Sequence, residues 1–160
     1  MATTTRELAL DYTPPYDWER VHAFIKKRLI TDVEWLDESS YGRTFTTCGI
    51  SGSFTATHRP RENTFHVQIE TKAGPACPGD LIATIRRVLD LDGNSAAIDE
   101  HLRTNYRFAN HFIPGLRIPR CWNVFEAGVR AVLGQQVSVS AATHLTRELV
   151  KHLSLIHISE

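Results

Sequence analysis

At 160 residues the chain is long enough for one ordinary domain, or for a small domain and part of another; 42% hydrophobic and 22% charged residues exclude a disordered chain. Eighteen basic and 18 acidic side chains cancel, so bulk charge gives no support to polyanion binding and any basic face must be local. Three cysteines, Cys48, Cys77 and Cys121, without a Cys-x-x-Cys pair, indicate neither a disulfide framework nor a zinc module, and neither a membrane span nor a basic-then-apolar leader is legible, so a soluble cytoplasmic protein with reduced thiols is expected.

In chain order, Met1 to Arg6 is polar, and Glu7 to Tyr12 can extend as a strand that Pro14-Pro15 stops. Asp17 suits the N-cap of a helix carrying Val21, Phe24, Ile25 and Leu29 on one face. A short strand is expected over Val33 to Asp37. Alternation predicts further strands over Tyr41 to Thr47, Ile50 to His58 and Thr64 to Thr71, with turns at Gly49 and Arg59 to Asn63. This is an antiparallel meander with one apolar face, which flanking helices must cover. Ala73 to Gly79 reads as a loop. Asp80 to Leu89 is a helix with Leu81, Ile82, Ile85, Val88 and Leu89 on one face, and Ser95 to Arg103 is another. Tyr106 to Phe112 is short and compatible with a helix. Ile113 to Pro119, with two prolines and a glycine, is a connector. Asp90, Asp92, Asp99 and Glu100 are expected to charge helix starts and a solvated face.

The stretch from Cys121 to Ala142 reads as helix, tight turn, helix. Asn123 is a suitable N-cap with Glu126 three residues on, the spacing of a capping box. Phe125, Val129, Val132 and Leu133 form one apolar stripe, and Gly134 is expected to end the helix in the left-handed conformation. Gln135 and Gln136 fall on the turn. Ser138 or Ser140 then caps a helix whose stripe is Ala141 or Ala142, Leu145, Leu149 and Leu153, reaching His152.

Phe125-Glu126-x-Gly128-Val129-Arg130-Ala131-Val132-Leu133-Gly134-Gln135-Gln136-Val137-Ser138-Val139 resembles the first two helices of the α-domain of the DNA-3-methyladenine glycosylase II family, within the helix-hairpin-helix DNA glycosylases. Tyr12-Thr13-Pro14-Pro15-Tyr16-Asp17-Trp18 with Phe24, and Gly115-Leu116-Arg117-Ile118-Pro119, match the same family in the same order, from about Leu10 to His152. The resemblance implies an α+β fold: an antiparallel sheet with covering helices, similar to the TATA-binding-protein-like N-terminal domain of that family, followed by the first helices of an all-α domain. It implies base-excision repair, hydrolysing the N-glycosidic bond of an alkylated base flipped out of double-stranded DNA. No cofactor or metal is implied, and the intact protein would be a monomer acting in the cytoplasm, away from membranes.

The family's catalytic aspartate and its Leu-Pro-Gly-Val/Ile-Gly hairpin have no counterpart in the sequence. Ile113-Pro114-Gly115-Leu116-Arg117 is a near match, but Arg117 stands at the second glycine position and the segment precedes the helices, so it reads as linker. By resemblance Gln136 is the wedge entering the base stack, Phe24 lines the base pocket, and Gln135 is a pocket-wall or structural residue. The residues alone leave alternatives open: an ordinary turn glutamine for Gln136, a core aromatic for Phe24. Tyr12, Tyr16 and Trp18 are expected to pack the N-terminal domain. Of the eight histidines none shows metal-ligand spacing, and His58 and His66 flank a strand turn across which they could face each other, with a surface pair the plainer reading.

The expected domains are 1–90, an α+β lobe; 91–152, the start of an all-α lobe; and 153–160, a tail that no longer resembles the family. Two helices cannot bury an α-domain's core, so a fragment with an exposed apolar face, inactive alone, is expected. A non-catalytic DNA-binding module and a protein-interaction module are the competing readings.

Overall fold

The computed structural model describes residues 3–47, 49–72, 79–105, 107–109 and 111–158. Cys48, Cys77, Tyr106 and the expected loop, except for its last residue, lie outside them.

Five strands form one antiparallel sheet: β1 (Thr4–Asp11), β2 (Glu34–Leu36), β3 (Ser40–Thr47), β4 (Ile50–Arg59) and β5 (Thr64–Thr71), in the order β1-β5-β4-β3-β2. The apolar-polar alternation of β4 and β5 sets the register. Phe54, Ala56, Phe65, Val67 and Ile69 turn to one side and are buried, while Gln68 and Glu70 turn to the other. On the polar side Trp35 lies over Gly42, where a Cβ would come within 2.3 Å of the indole, and its Nε1 donates to Thr55 Oγ1 at 3.3 Å. The missing side chain of Gly42 is thus replaced by a neighbouring ring, which ties the short β2 to the sheet.

Two helices cover the apolar face. In α1 (Trp18–Lys26) the Asp17 carboxylate accepts the Arg20 amide at 3.0 Å, the expected cap, and Val21 and Ile25 are buried. In α2 (Gly79–Val88) Leu81, Ile85 and Val88 are buried, with Leu89 and Leu91 just beyond. The expected alternating strands and both covering helices are present. Phe24 departs from the stripe expected of it: it is 39% exposed on the outer edge of α1, because α1 meets the core through Trp18, Val21 and Ile25.

At one end of the core Tyr12, Tyr16, Trp18, His58 and Phe65 pack ring against ring, as expected for the first three. His58 and His66 do not face each other. The register pairs His58 with Phe65 and Thr57 with His66, so one histidine points into the core and the other to solvent, where it bonds Glu62 at 3.0 Å. Burial lowers the pKa of His58, whose Nε2 lies 2.9 Å from the Tyr12 hydroxyl. The sign follows. The unfolded imidazole takes a proton near its ordinary pKa of about 6.5 while the folded one resists it. This contribution is complete above that pH and is lost as pH falls towards the folded value. The urea midpoint is therefore expected to drop more between pH 7.5 and pH 5.0 in the native protein than in His58→Gln, which keeps a partner for Tyr12. Equal drops would refute the assignment.

After α2 the chain folds back on this lobe. In α3 (Ser95–Thr104) the Asn94 side chain caps by accepting the Ala97 amide at 3.1 Å. The acidic run is not merely a solvated face. Asp99 is buried and accepts the Gly115 amide at 2.9 Å, and Asp90 accepts the Ile118 amide at 3.0 Å, because the connector's turn points its amides inward. Gly115, with φ of +73°, has no room for a side chain, since a Cβ would come within 2.8 Å of the Pro15 backbone. The connector therefore joins segments but is anchored along its length, and Arg117 is buried within it.

The chain ends in α4 (Val124–Leu133) and α5 (Val139–Ile158). Asn123 caps α4 by accepting the Glu126 amide at 2.7 Å, and Ser138 Oγ accepts the Ala141 amide at 3.2 Å. Gly134 does not take the left-handed conformation: its φ is −86°, and Gln136, at +59°, makes that turn instead. The expected end of α5 at His152 is passed by six residues, since 153–158 contains neither glycine nor proline to stop a helix. The apolar stripes of both helices face outward, with Phe125 77% and Val132 67% exposed and Leu145, Leu149 and Leu153 open as well. That exposed face is the expected one. No helix among the described residues is long and apolar enough to cross a membrane.

Candidate functional site

Where α1, β3 and α4 meet there is a cleft of about 320 Å³. Phe24, Ile25 and Arg28 supply one wall, Tyr41 and Arg43 the floor, and Cys121, Trp122, Glu126, Arg130 and Ala131 the other wall. Besides Arg28 and Arg120 its lining holds a cluster of four charged side chains, Glu34, Arg43, Glu126 and Arg130, of which sequence reading singled out Glu126 alone, and for a cap.

Arg43 projects from β3 and is almost wholly buried. One of its terminal nitrogens lies 3.3 Å from Glu34 and the other 3.0 Å from Glu126. Arg130 closes the ring, 2.9 Å from Glu126 and 3.7 Å from Glu34. The remaining capacity of Glu34 is filled by the Tyr41 hydroxyl at 2.9 Å and the Ile30 amide at 2.9 Å. Two cations and two carboxylates make the cluster neutral, which allows it to be buried. Burial opposes the charge on Arg43, yet Tyr41, Glu126 and Glu34 beside it outweigh that and hold its pKa above the ordinary value. Burial, then the neighbouring Glu34, push the Tyr41 phenol up as well, so it stays a hydrogen-bond donor. The guanidinium of Arg43 also lies 4.6 Å from the Trp122 ring, which stacks at 5.8 Å on Phe54 of the sheet. Glu126 sits at capping-box spacing, but its carboxylate is spent on arginines. No signal in the linear sequence links Arg43 to a residue 83 positions later; the one legible part is Glu126 and Arg130, four apart on a helix.

Phe24 stands at the mouth of this cleft, and the Arg28 guanidinium rests 3.9 Å from its ring centroid. One face of the ring is thereby occupied by a cation. A second, smaller groove of about 210 Å³ shares Arg28 and Arg130 with the first and is closed by Gly134, Val137, Val139 and Thr143. The two grooves thus run from Phe24 to the flanks of the α4–α5 turn. Gln135 and Gln136 line neither of them: both are exposed at the tip of the turn. The left-handed backbone at Gln136 is uncommon for a residue other than glycine and is held between the end of α4 and the cap of α5. Among the described residues no three His, Cys, Asp or Glu side chains are grouped as a metal site.

A sequence model described as the AlkA N-terminal domain matches residues 7–123, which crosses from the sheet lobe through the connector. The chain is 32% identical over 142 residues to DNA-3-methyladenine glycosylase 2 of Escherichia coli (strain K12), covering 89% of this chain and 49% of that protein. It is 44% identical over 78 residues to a probable bifunctional transcriptional activator/DNA repair enzyme AlkA of Mycobacterium tuberculosis, covering 47% of this chain and 16% of the relative. Its fold matches a solved 3-methyladenine DNA-glycosylase from Archaeoglobus fulgidus with a TM-score of 0.73 at 15% identity, over 90% of this chain and 50% of the other. The chain therefore spans about half the length of the E. coli relative or less than that of the mycobacterial one.

Proposed function

From the premise that the chain belongs to the AlkA N-terminal domain family, we propose that it contributes to the base-excision repair of alkylated double-stranded DNA. The activity is hydrolysis of the N-glycosidic bond of a 3-methyladenine-type base. Water replaces the base at the sugar C1′, and the base leaves with the bonding electrons. A positively charged alkylated base departs readily, so the protein must chiefly unstack it, hold it against aromatic faces and stabilise the sugar cation with a carboxylate.

In this reading Phe24 forms part of the base pocket, Gln135 its wall, and Gln136 the wedge that fills the gap left by the flipped nucleotide. No residue of this chain is assigned the catalytic carboxylate. The observation that carries the reading is the identity to the E. coli enzyme across most of the chain, including both sides of the α4–α5 turn. The exposed tip and left-handed backbone of Gln136 support it, since a wedge must project clear of its own protein. The local basic face that bulk charge leaves possible is also present: exposed Lys26 and Lys27 with Arg28 at the end of α1. The protein acts in the cytoplasm and is a monomer when intact.

The test uses residues 1–160 and a duplex with one alkylated purine or a stable abasic site. Affinity is expected to fall steadily with salt, and no base should be released above the buffer control. Gln136→Ala should weaken binding to the abasic duplex about tenfold and to undamaged duplex hardly at all. Absence of duplex affinity at every salt concentration would overturn the reading. Equal affinity for damaged and undamaged duplex, unaffected at Gln136, would favour the non-catalytic DNA-binding module.

A further inference from the structure

Resting on the reading of Gln136 as wedge and Phe24 as pocket wall, we propose that Arg147 of α5, together with Arg130 of α4, is a positioning residue. The pair locks the helical hairpin onto the end of α1 and so sets where Gln136 stands relative to Phe24.

Carbonyls just past the C-terminal end of a helix find no partner within it and must be met from elsewhere. Just past the last turn of α1 three consecutive carbonyls are met from the hairpin. Arg130 Nη1 donates to Arg28 O at 3.0 Å, and Arg147 donates to Leu29 O through Nε at 3.0 Å and Nη2 at 2.8 Å. Thr143 Oγ1 lies 3.2 Å from Lys27 O, but its single hydrogen is shared with Val139 O at 2.8 Å, so the two arginines carry the contact. Among the described residues Arg147 forms no ion pair; its charge is given to one carbonyl.

Apolar packing does not fix this pose. No residue of α4 is buried, and Leu145, Leu149 and Leu153 of α5 face away from the lobe. Thr143 and Arg147, four apart, form the face of α5 that meets α1. From α1 and the residues just after it two arms therefore lead to the turn, beside the tie from the sheet to α4 through Arg43 and Glu126. One runs from Phe24 through the stacked Arg28 and Arg130 into α4; the other runs from Leu29 through Arg147 into α5 and its cap at Ser138. With both arms held, Gln136 is fixed with respect to Phe24. With the second released, α5 can swing about the first.

The experiment measures the distance between spin labels attached through p-acetylphenylalanine at Glu19 and Gln135, both exposed, in the chain of residues 1–160 without DNA. The native protein should give one narrow distance peak. Arg147→Met should lose that peak to a broad distribution at unchanged helix content, and Arg147→Lys, which keeps one charged donor, should recover most of it. Arg147→Gln serves where methionine prevents folding, and should give an intermediate width. A merely stabilising residue would lower the melting temperature and leave the peak of the folded population in place; that result, or a broad distribution in the native protein, overturns the proposal. Because no DNA is present, failure here is separate from failure of the repair reading, which rests on duplex binding.

Discussion

Replacing Arg117 with methionine is expected to destabilise the protein by about 4 kcal/mol, because a buried cation leaves several carbonyls without donors. Nη1 donates to Asp90 O at 3.0 Å and Gly93 O at 2.6 Å, while the two hydrogens of Nη2 are shared among Thr13 O, Pro15 O at 2.9 Å and Ser95 Oγ at 3.0 Å. The guanidinium also lies 4.9 Å from the Tyr16 ring. One side chain thus ties the segment before α1, the loop after α2 and the start of α3 to the connector. Methionine fills similar volume but donates nothing, so Asp90 O and Thr13 O lose this donor, while Gly93 O and Pro15 O keep only the Ser95 amide at 3.0 Å and the Ser95 hydroxyl at 2.9 Å. Lysine keeps the charge, but its donors do not match the planar fork, so Arg117→Lys should recover less than half of the loss. Urea unfolding by circular dichroism measures both variants. A loss below about 1 kcal/mol for methionine would mean that water replaces the guanidinium and that Asp90, Asp99 and the Asp17 amide on Gly115 O suffice to hold the connector.

Arg117 also marks where the linear sequence stops being informative. The prolines and glycine around it correctly announce a segment without helix or strand. They do not reveal that the segment is packed, because its partners are backbone carbonyls, which every residue has. The same limit applies to Asp90 and Asp99: an acidic residue near a helix start has the same pattern whether it meets solvent or a turn's amides. Strands and covering helices were legible because burial recurs with their periods, as in Phe65, Val67 and Ile69 or in Leu81, Ile85 and Val88. Caps were legible at Asp17 and Asn123 because the donor lies three residues away.

The candidate site divides in the same way. The turn carrying Gln135 and Gln136 could be placed from the end of one apolar stripe and the serine that starts the next. Which residue turns left-handed could not, since Gly134 is the better candidate on intrinsic grounds and the geometry of the following cap decides otherwise. Phe24 had the spacing of a core residue and its exposure follows from how α1 lies on the sheet, a tertiary choice. The charged cluster beneath it joins β2, β3 and α4, and only its within-helix pair has a sequence signature.

That cluster carries the second large effect. Arg43→Met is expected to cost about 3 kcal/mol, the usual size for removing one member of a buried ion group and leaving its partners uncompensated. With Arg43 gone, Glu34 and Glu126 share only Arg130, which lies 3.7 Å from the first and 2.9 Å from the second. The two carboxylates then repel each other in a site closed by Tyr41 and Trp122. Removing a carboxylate as well should relieve the strain. Arg43→Met combined with Glu126→Leu should be less destabilised than the sum of the single variants by about 1–3 kcal/mol, a coupling that a double-mutant cycle in urea measures directly. Strict additivity would mean that the 3.0 Å contact between Arg43 and Glu126 does not persist in solution. Because the Arg43 and Glu126 side chains are only 7% and 16% exposed, the coupling should survive 0.5 M salt largely intact, whereas the exposed pair of Lys151 and Glu148 should lose what it contributes. Loss of Arg43 also frees Trp122 from its stacked cation, so its fluorescence should change in the folded state of Arg43→Met while Glu126→Leu alone leaves the Arg43 guanidinium over the ring. A shared spectral change in the two single variants would show that Glu126, from α4, is what holds Arg43 in place, and that the Arg43–Glu126 pair couples the sheet to the hairpin.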